Sequence, residues 1–274
     1  MKKILVLITF ILIWFSTEVN SQVTVAPVSI HMNDANKNGY LLIRNNSLTS
    51  TWEVNIEMKF GYPFSDSTGN INIYFPDTVT ASDPSAIDWV NFFPRKFLLK
   101  PQEEQTVRVV AKPPKGLKEG EYWGRPIISS QVQSMEDTTN NSQIGVGLSV
   151  KFQTVIAFNY RKGKSSTSIN LLSLDAVYED SKIIVSADMK REGNSAYIGN
   201  LIAKVYDSRN DLISETEQEF AVYYTLLKKV TLDVPGIKKG NYTVEVELNT
   251  DRKEQSGTII KGNTVNKKIQ ISVN

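Results

Sequence analysis

One histidine and no cysteine limit the chemistry open to this chain of 274 residues. A thiolate nucleophile, an iron-sulfur cluster, a zinc ribbon and a disulfide framework all require cysteine, and a multi-histidine metal centre requires more than His31. A serine hydrolase would have to route its proton through His31 alone, and no Gly-x-Ser-x-Gly motif frames a serine for it to activate. His31 therefore reads as an ordinary strand histidine, and the chain as a non-enzyme without a cofactor. Asp175, Glu179 and Asp180 lie close together in sequence, but without the ligand spacing of a calcium loop, so they read as a solvated turn. Tyr223-Tyr224 and the group Trp89, Phe92 and Phe93 offer rings that could stack on a sugar, which makes a glycan-binding module one alternative. Lys+Arg 31 against Asp+Glu 29 leaves a net charge of +2, which gives no basis for a nucleic-acid groove or a polybasic membrane surface.

The remaining candidate is a row rather than a reactive group. Val146, Leu148, Val150 and Phe152 recur at every second position, so an extended backbone places all four on one face of a strand. Such a row either fills the chain's own core or waits for a partner strand, and the alternation itself is the same in both cases.

Strands must carry these residues, because period-two alternation is the dominant regular pattern. Trp52, Val54, Ile56, Met58 and Phe60 alternate with Glu53, Asn55, Glu57 and Lys59, which predicts a half-buried strand with five core-facing side chains. Similar runs occur at Gly39 to Arg44, Thr106 to Ala111, Ile144 to Tyr160, Ile183 to Met189, Leu201 to Tyr206, Tyr242 to Leu248 and Lys268 to Val273. Turn-forming clusters such as 33–36, 112–116 and 238–241 separate them, and Ser65 to Asp88 reads as a long irregular stretch. Many short strands and no convincing helical period predict an all-β chain of two consecutive immunoglobulin-like β-sandwich domains.

At the N-terminus, Lys2 and Lys3 precede the apolar run Ile4 to Phe15, which is shorter than the roughly 20 residues that span a bilayer. The pattern predicts a signal peptide over 1–21 with cleavage before Gln22, export to the periplasm or cell surface, and no membrane span afterwards. Once Lys2, Lys3 and Glu18 are removed, 29 basic side chains face 28 acidic ones. The small, polar stretch that begins at Arg161 predicts a domain boundary, with a first domain over 22–162, a linker over 163–167 and a second domain over 168–274. Asn45, Asn140 and Asn241 head N-x-Ser/Thr sequons, which carry meaning only in a secretory pathway that glycosylates asparagine.

Four segments, in order, resemble the N-terminal domain of the PapD-like periplasmic chaperones that assemble adhesive pili. They are Ala26-Pro27-Val28-Ser29-Ile30 with Leu42 to Ser47; Pro94 to Pro101 with Gln105 to Val109; Leu117 with Glu121-Tyr122-Trp123; and Phe152-Gln153-Thr154 through Tyr160-Arg161. The resemblance covers about 23–161, and from Ser168 onward the likeness is one of architecture only. It implies a chaperone or assembly factor that lends a strand to a secreted or surface-fibre subunit, with Val146, Leu148, Val150 and Phe152 as the partner-binding anchors. It also implies a basic pair that clamps the partner's terminal carboxylate. In this sequence those two positions are Ser29 and Ala157, both neutral. The alternative from another class is a structural or adhesive surface protein that keeps the fold without strand donation.

Overall fold

A computed structural model describes residues 23–133, 150–252 and 258–273. The predicted signal peptide lies outside them. Among the described residues there are strands and no α-helix, and no helix long and apolar enough to cross a membrane.

The first part of the chain contributes twelve strands: β1 (Val23–Ala26), β2 (Ser29–Asn33), β3 (Asn38–Asn45), β4 (Trp52–Lys59), β5 (Tyr62–Ser65), β6 (Ile71–Tyr74), β7 (Val90–Phe93), β8 (Lys96–Leu99), β9 (Glu104–Ala111), β10 (Gly120–Val132), β11 (Lys151–Val155) and β12 (Ala157–Lys162). One sheet runs β1-β3-β9-β7 and the other β2-β12-β10-β4-β8, with β11 joined to β10. Alternation turns one set of side chains inward from each sheet. Leu41, Ile43, Val107 and Val109 from the first meet Val54, Ile56, Ile128 and Phe158 from the second, all essentially without solvent contact. The chain changes sheets between β1 and β2 at Pro27 and then runs parallel to β12.

Seven strands form the second sandwich: β13 (Thr167–Glu179), β14 (Lys182–Gly193), β15 (Tyr197–Tyr206), β16 (Leu212–Val222), β17 (Thr225–Asp233), β18 (Gly240–Asn249) and β19 (Val265–Val273). Sheets β13-β14-β17 and β16-β15-β18-β19 enclose Ile183, Val185, Met189, Leu201, Val205, Val230 and Val244. Two consecutive β-sandwiches are therefore the architecture, as the alternation predicts. Gly193 ends β14 at a φ of 88°, where a Cβ would lie 2.5 Å from the Ser166 carbonyl oxygen, so only glycine fits this return against the connection between sandwiches.

Three expectations need correction. Ser65 to Asp88 is not irregular throughout, because β5 and β6 form an antiparallel hairpin with Tyr62 opposite Tyr74. Phe60 follows β4 and leaves the first core: it packs with Trp123, Ala196 and Tyr223 between the two sandwiches. The run expected from Ile144 to Tyr160 is not one strand in its described part, since it breaks at the buried Ile156 into β11 and β12.

Candidate functional site: an open strand edge

The thirteen-residue strand β10 positions the site. Along one edge β4 pairs with Arg125 to Val132; along the other, β12 pairs with Gly120 to Gly124 and β11 with Ile127 to Gln131. Pro126 marks the break. It has no N–H to give, and its carbonyl accepts the Ile156 N–H at 3.1 Å as Ile156 turns into the core. From Ala157 onward the outer edge is covered, because β2 pairs there in parallel and the Val28 carbonyl accepts the Ala157 N–H at 3.1 Å. No strand among the described residues covers the outer edge of β11.

All five residues of β11 are exposed. Register assigns its faces. Phe152 lies opposite Ser130, which lies opposite Val54, and Thr154 lies opposite Ile128 and then Ile56, so Phe152 and Thr154 are on the inward-turned face. Phe152 nevertheless remains 53 % exposed and Val150 48 %. Its ring reaches only the rim of the core, with its centroid 5.7 Å from that of Trp52. On the outward face the chemistry is polar: the Gln153 amide donates to Ser129 Oγ at 3.1 Å, the Gln131 amide to Glu53 at 3.1 Å, and Lys96 pairs with Glu53. Phe152 is thus an exposed apolar side chain on an edge no strand covers, and the exposed Val150 stands just ahead of β11. Val146 and Leu148 lie outside the described residues.

Ser29 and Ala157 are direct register partners across the parallel β2–β12 pair. The two positions taken from the resemblance therefore stand side by side, and neither carries charge. Arg125 is near them on β10 and only 4 % exposed, and its Nη2 is buried without a hydrogen-bond partner. Its Nε–H donates to the Gly61 carbonyl at 3.1 Å, and its guanidinium lies over the Tyr223 ring, 5.0 Å from the centroid. Attraction to a desolvated ring, about 2 kcal/mol, is what the structure offers this charge in place of a carboxylate.

The other candidates take different roles. His31 is on β2 opposite Asn159, and its Nδ1 is buried without a hydrogen-bond partner. Burial and then the nearby Arg161 charge lower its pKa to about 4, so it is neutral at pH 7. No hydrogen bond among the described residues joins it to a serine or carboxylate. Asp175 and Glu179 lie on β13 rather than in a turn, and Asp180 follows at a φ of 49°. No group of three or more potential metal ligands is present among the described residues. Phe92 is in the core and Tyr223 is buried between the sandwiches, which removes both from any sugar platform; Phe93 is exposed but on its own strand face.

Reading the sequence alone misses the junction that holds the sandwiches together. Glu121, buried, accepts from Arg161 Nε at 2.9 Å and from the Ala196 N–H at 3.3 Å, and Arg161 also donates to the Thr258 carbonyl. Trp123 meets Tyr223 edge-on at 4.9 Å, and Tyr62 meets Tyr224 at 4.6 Å. The signal was the Glu121-Tyr122-Trp123 triplet, whose partners Arg161, Ala196 and Tyr223 lie about forty to a hundred residues downstream, beyond the reach of local pattern.

No family model matches the sequence, and no curated protein does. Solved structures do resemble the chain. They include the YadV chaperone (11% identity, TM-score 0.42, 92% of this chain and 100% of that one) and the class 5 fimbriae chaperone CfaA (14%, 0.41, 90% and 98%). A complex of the SafA pilin with the SafB chaperone of Salmonella enterica also matches (12%, 0.40, 93% and 99%). These likenesses are distant, and the functional reading below rests on the geometry of β11.

Proposed function

We propose that the protein is an exported chaperone or assembly factor that pairs β11 with a strand of a secreted or surface-fibre subunit. The observation that carries this reading is the free edge of β11, with Phe152 exposed on its inward-turned face and Val150 exposed just ahead of the strand. In β-augmentation the backbone of such an edge supplies hydrogen bonds, and every second side chain supplies an apolar anchor. Burying most of an anchor stabilises the pair by roughly 1.5 to 3 kcal/mol before ordering costs. Leu148 and Val146 continue the alternation in sequence and extend the proposed row. Export follows from the signal peptide proposed over 1–21, with Gln22 as the new N-terminus, and the periplasm is the compartment that the sequence resemblance supports. The role is one of binding, without catalysis.

A photo-crosslinking amino acid at position 152 tests the reading in the native envelope. Crosslinks to an exported subunit from position 152, and none from the equally exposed position 93 on β7, are the expected result. Equal crosslinking from both, or none from 152, overturns it.

One observation favours a second reading. The neutral pair Ser29 and Ala157 removes the carboxylate clamp that the resemblance implies, as expected of a structural or adhesive surface protein that has kept the fold alone.

A further inference from the structure

A cavity of about 1020 Å³ is on the first sandwich away from β11, between the segment that joins β6 to β7 and the connection from β9 to β10. Its walls are tied in place rather than loose. Trp123 pins one wall, its N–H donating to the Pro84 carbonyl at 2.8 Å and its carbonyl accepting the Ala86 N–H at 3.0 Å. The other wall is held where the Lys112 N–H donates to the Trp89 carbonyl at 2.8 Å and the Tyr122 hydroxyl donates to the Lys118 carbonyl at 3.0 Å. Trp89 and Tyr122 meet edge-to-face at 6.1 Å and, with Ile87 and Leu117, give the cavity an apolar lining.

Its charge is uneven. Lys112, Lys115 and Lys118 are exposed on the rim, and none is in an ion pair among the described residues. Two acids, Asp83 and Asp88, line the same cavity. Asp83 accepts from the Thr80 N–H and hydroxyl, both at 2.8 Å, and from the Tyr224 hydroxyl at 3.3 Å. Asp88 also lines a neighbouring hollow with Lys59 and Arg95, so the lining of the larger cavity sets three lysines against two carboxylates. A preformed, partly apolar cavity with a few convergent polar groups is the usual form of a small-molecule site. An apolar body would rest on the aromatic lining, and an acid group would meet the three lysines, which are flexible point charges suited to an anion.

We propose that this cavity binds a small organic anion with an apolar body, independently of the β11 edge. The test titrates 1-naphthoate into the protein lacking 1–21, followed by calorimetry and by tryptophan fluorescence. The expected result is saturable binding that weakens by about tenfold in the K112Q/K115Q/K118Q triple variant and by a similar factor for the uncharged 1-naphthamide. Raising ionic strength from about 0.05 M to about 0.5 M weakens naphthoate and leaves the amide unchanged. Because all three lysines are exposed, the triple variant keeps the melting temperature of the parent; the amide comparison needs no variant and stands if it does not. The proposal is overturned by absence of saturation at millimolar naphthoate, by equal affinity for naphthoate and the amide, or by an unchanged affinity in a folded triple variant.

Discussion

His31 shows how one buried side chain sets a pH dependence without doing chemistry. Its folded pKa of about 4 is below the unfolded 6.5, so between those values the unfolded chain binds more protons and stability rises with pH. The contribution is complete above about 6.5 and is lost as pH falls through 4. At roughly 1.4 kcal/mol per unit, discounted because the ring retains some solvent contact, the loss is about 2 kcal/mol. Urea denaturation at pH 7 and pH 4.5 should show a larger drop for the parent than for His31→Gln; equal drops would mean that the imidazole is not held neutral. At Ser29 and Ala157 the expectation concerns an absent charge: amidating a partner peptide's C-terminus should leave its affinity within about twofold, since charge-assisted bonds to a carboxylate need a cation at the site. A loss of about tenfold or more would show that another basic residue anchors the partner. Asn45 makes the opposite point about legibility. It heads a sequon, and its side-chain amide is buried and donates to the Ser50, Leu99 and Lys100 carbonyls. The sequon motif carries no information about which carbonyls a fold will leave in need of a donor.

Strands were legible where one face meets the core and the other meets water. On β4, Trp52, Val54 and Ile56 are buried while Glu57 is exposed, as alternation demands. Ile56→Ala should cost about 2 to 5 kcal/mol and Glu57→Ala less than about 0.5, read from denaturation midpoints. Similar small losses at both positions would mean that β4 does not line the core. The hairpin β5–β6 was not legible, because Phe64, Ile71, Ile73 and Tyr74 are apolar yet exposed, so no alternation of burial was there to be read. The same physics limits β11. Alternation placed Val150 and Phe152 on one face, but burial depends on what lies beyond the sheet edge, and neither neighbour is encoded nearby. Pro126 and Ile156 decide it by ending the shared strand where β2 begins its cover.

On the scale of the whole molecule, two sandwiches with separate cores are joined by a third cluster built from Phe60, Trp123, Ala196 and Tyr223. Alternation along the chain predicted the two cores and could not predict the third, whose members come from a strand, β10, and from connecting segments in both halves. Among the described residues of the first sandwich, β1, β2, β7, β8 and β11 each keep an unpaired edge, and of these β11 is the strand proposed to pair with a partner. The measurement that tests this most directly is made on one variant, Val150→Asp, by thermal melting and by recovery of the envelope protein that co-purifies with the parent. Val150 is 48 % exposed, so the carboxylate stays hydrated and the melting temperature should remain within about 2 °C of the parent, while recovery of the partner is lost. If the row is instead internal, the unpaired carboxylate is buried and the domain unfolds; a folded variant that still recovers the partner would equally contradict pairing through β11.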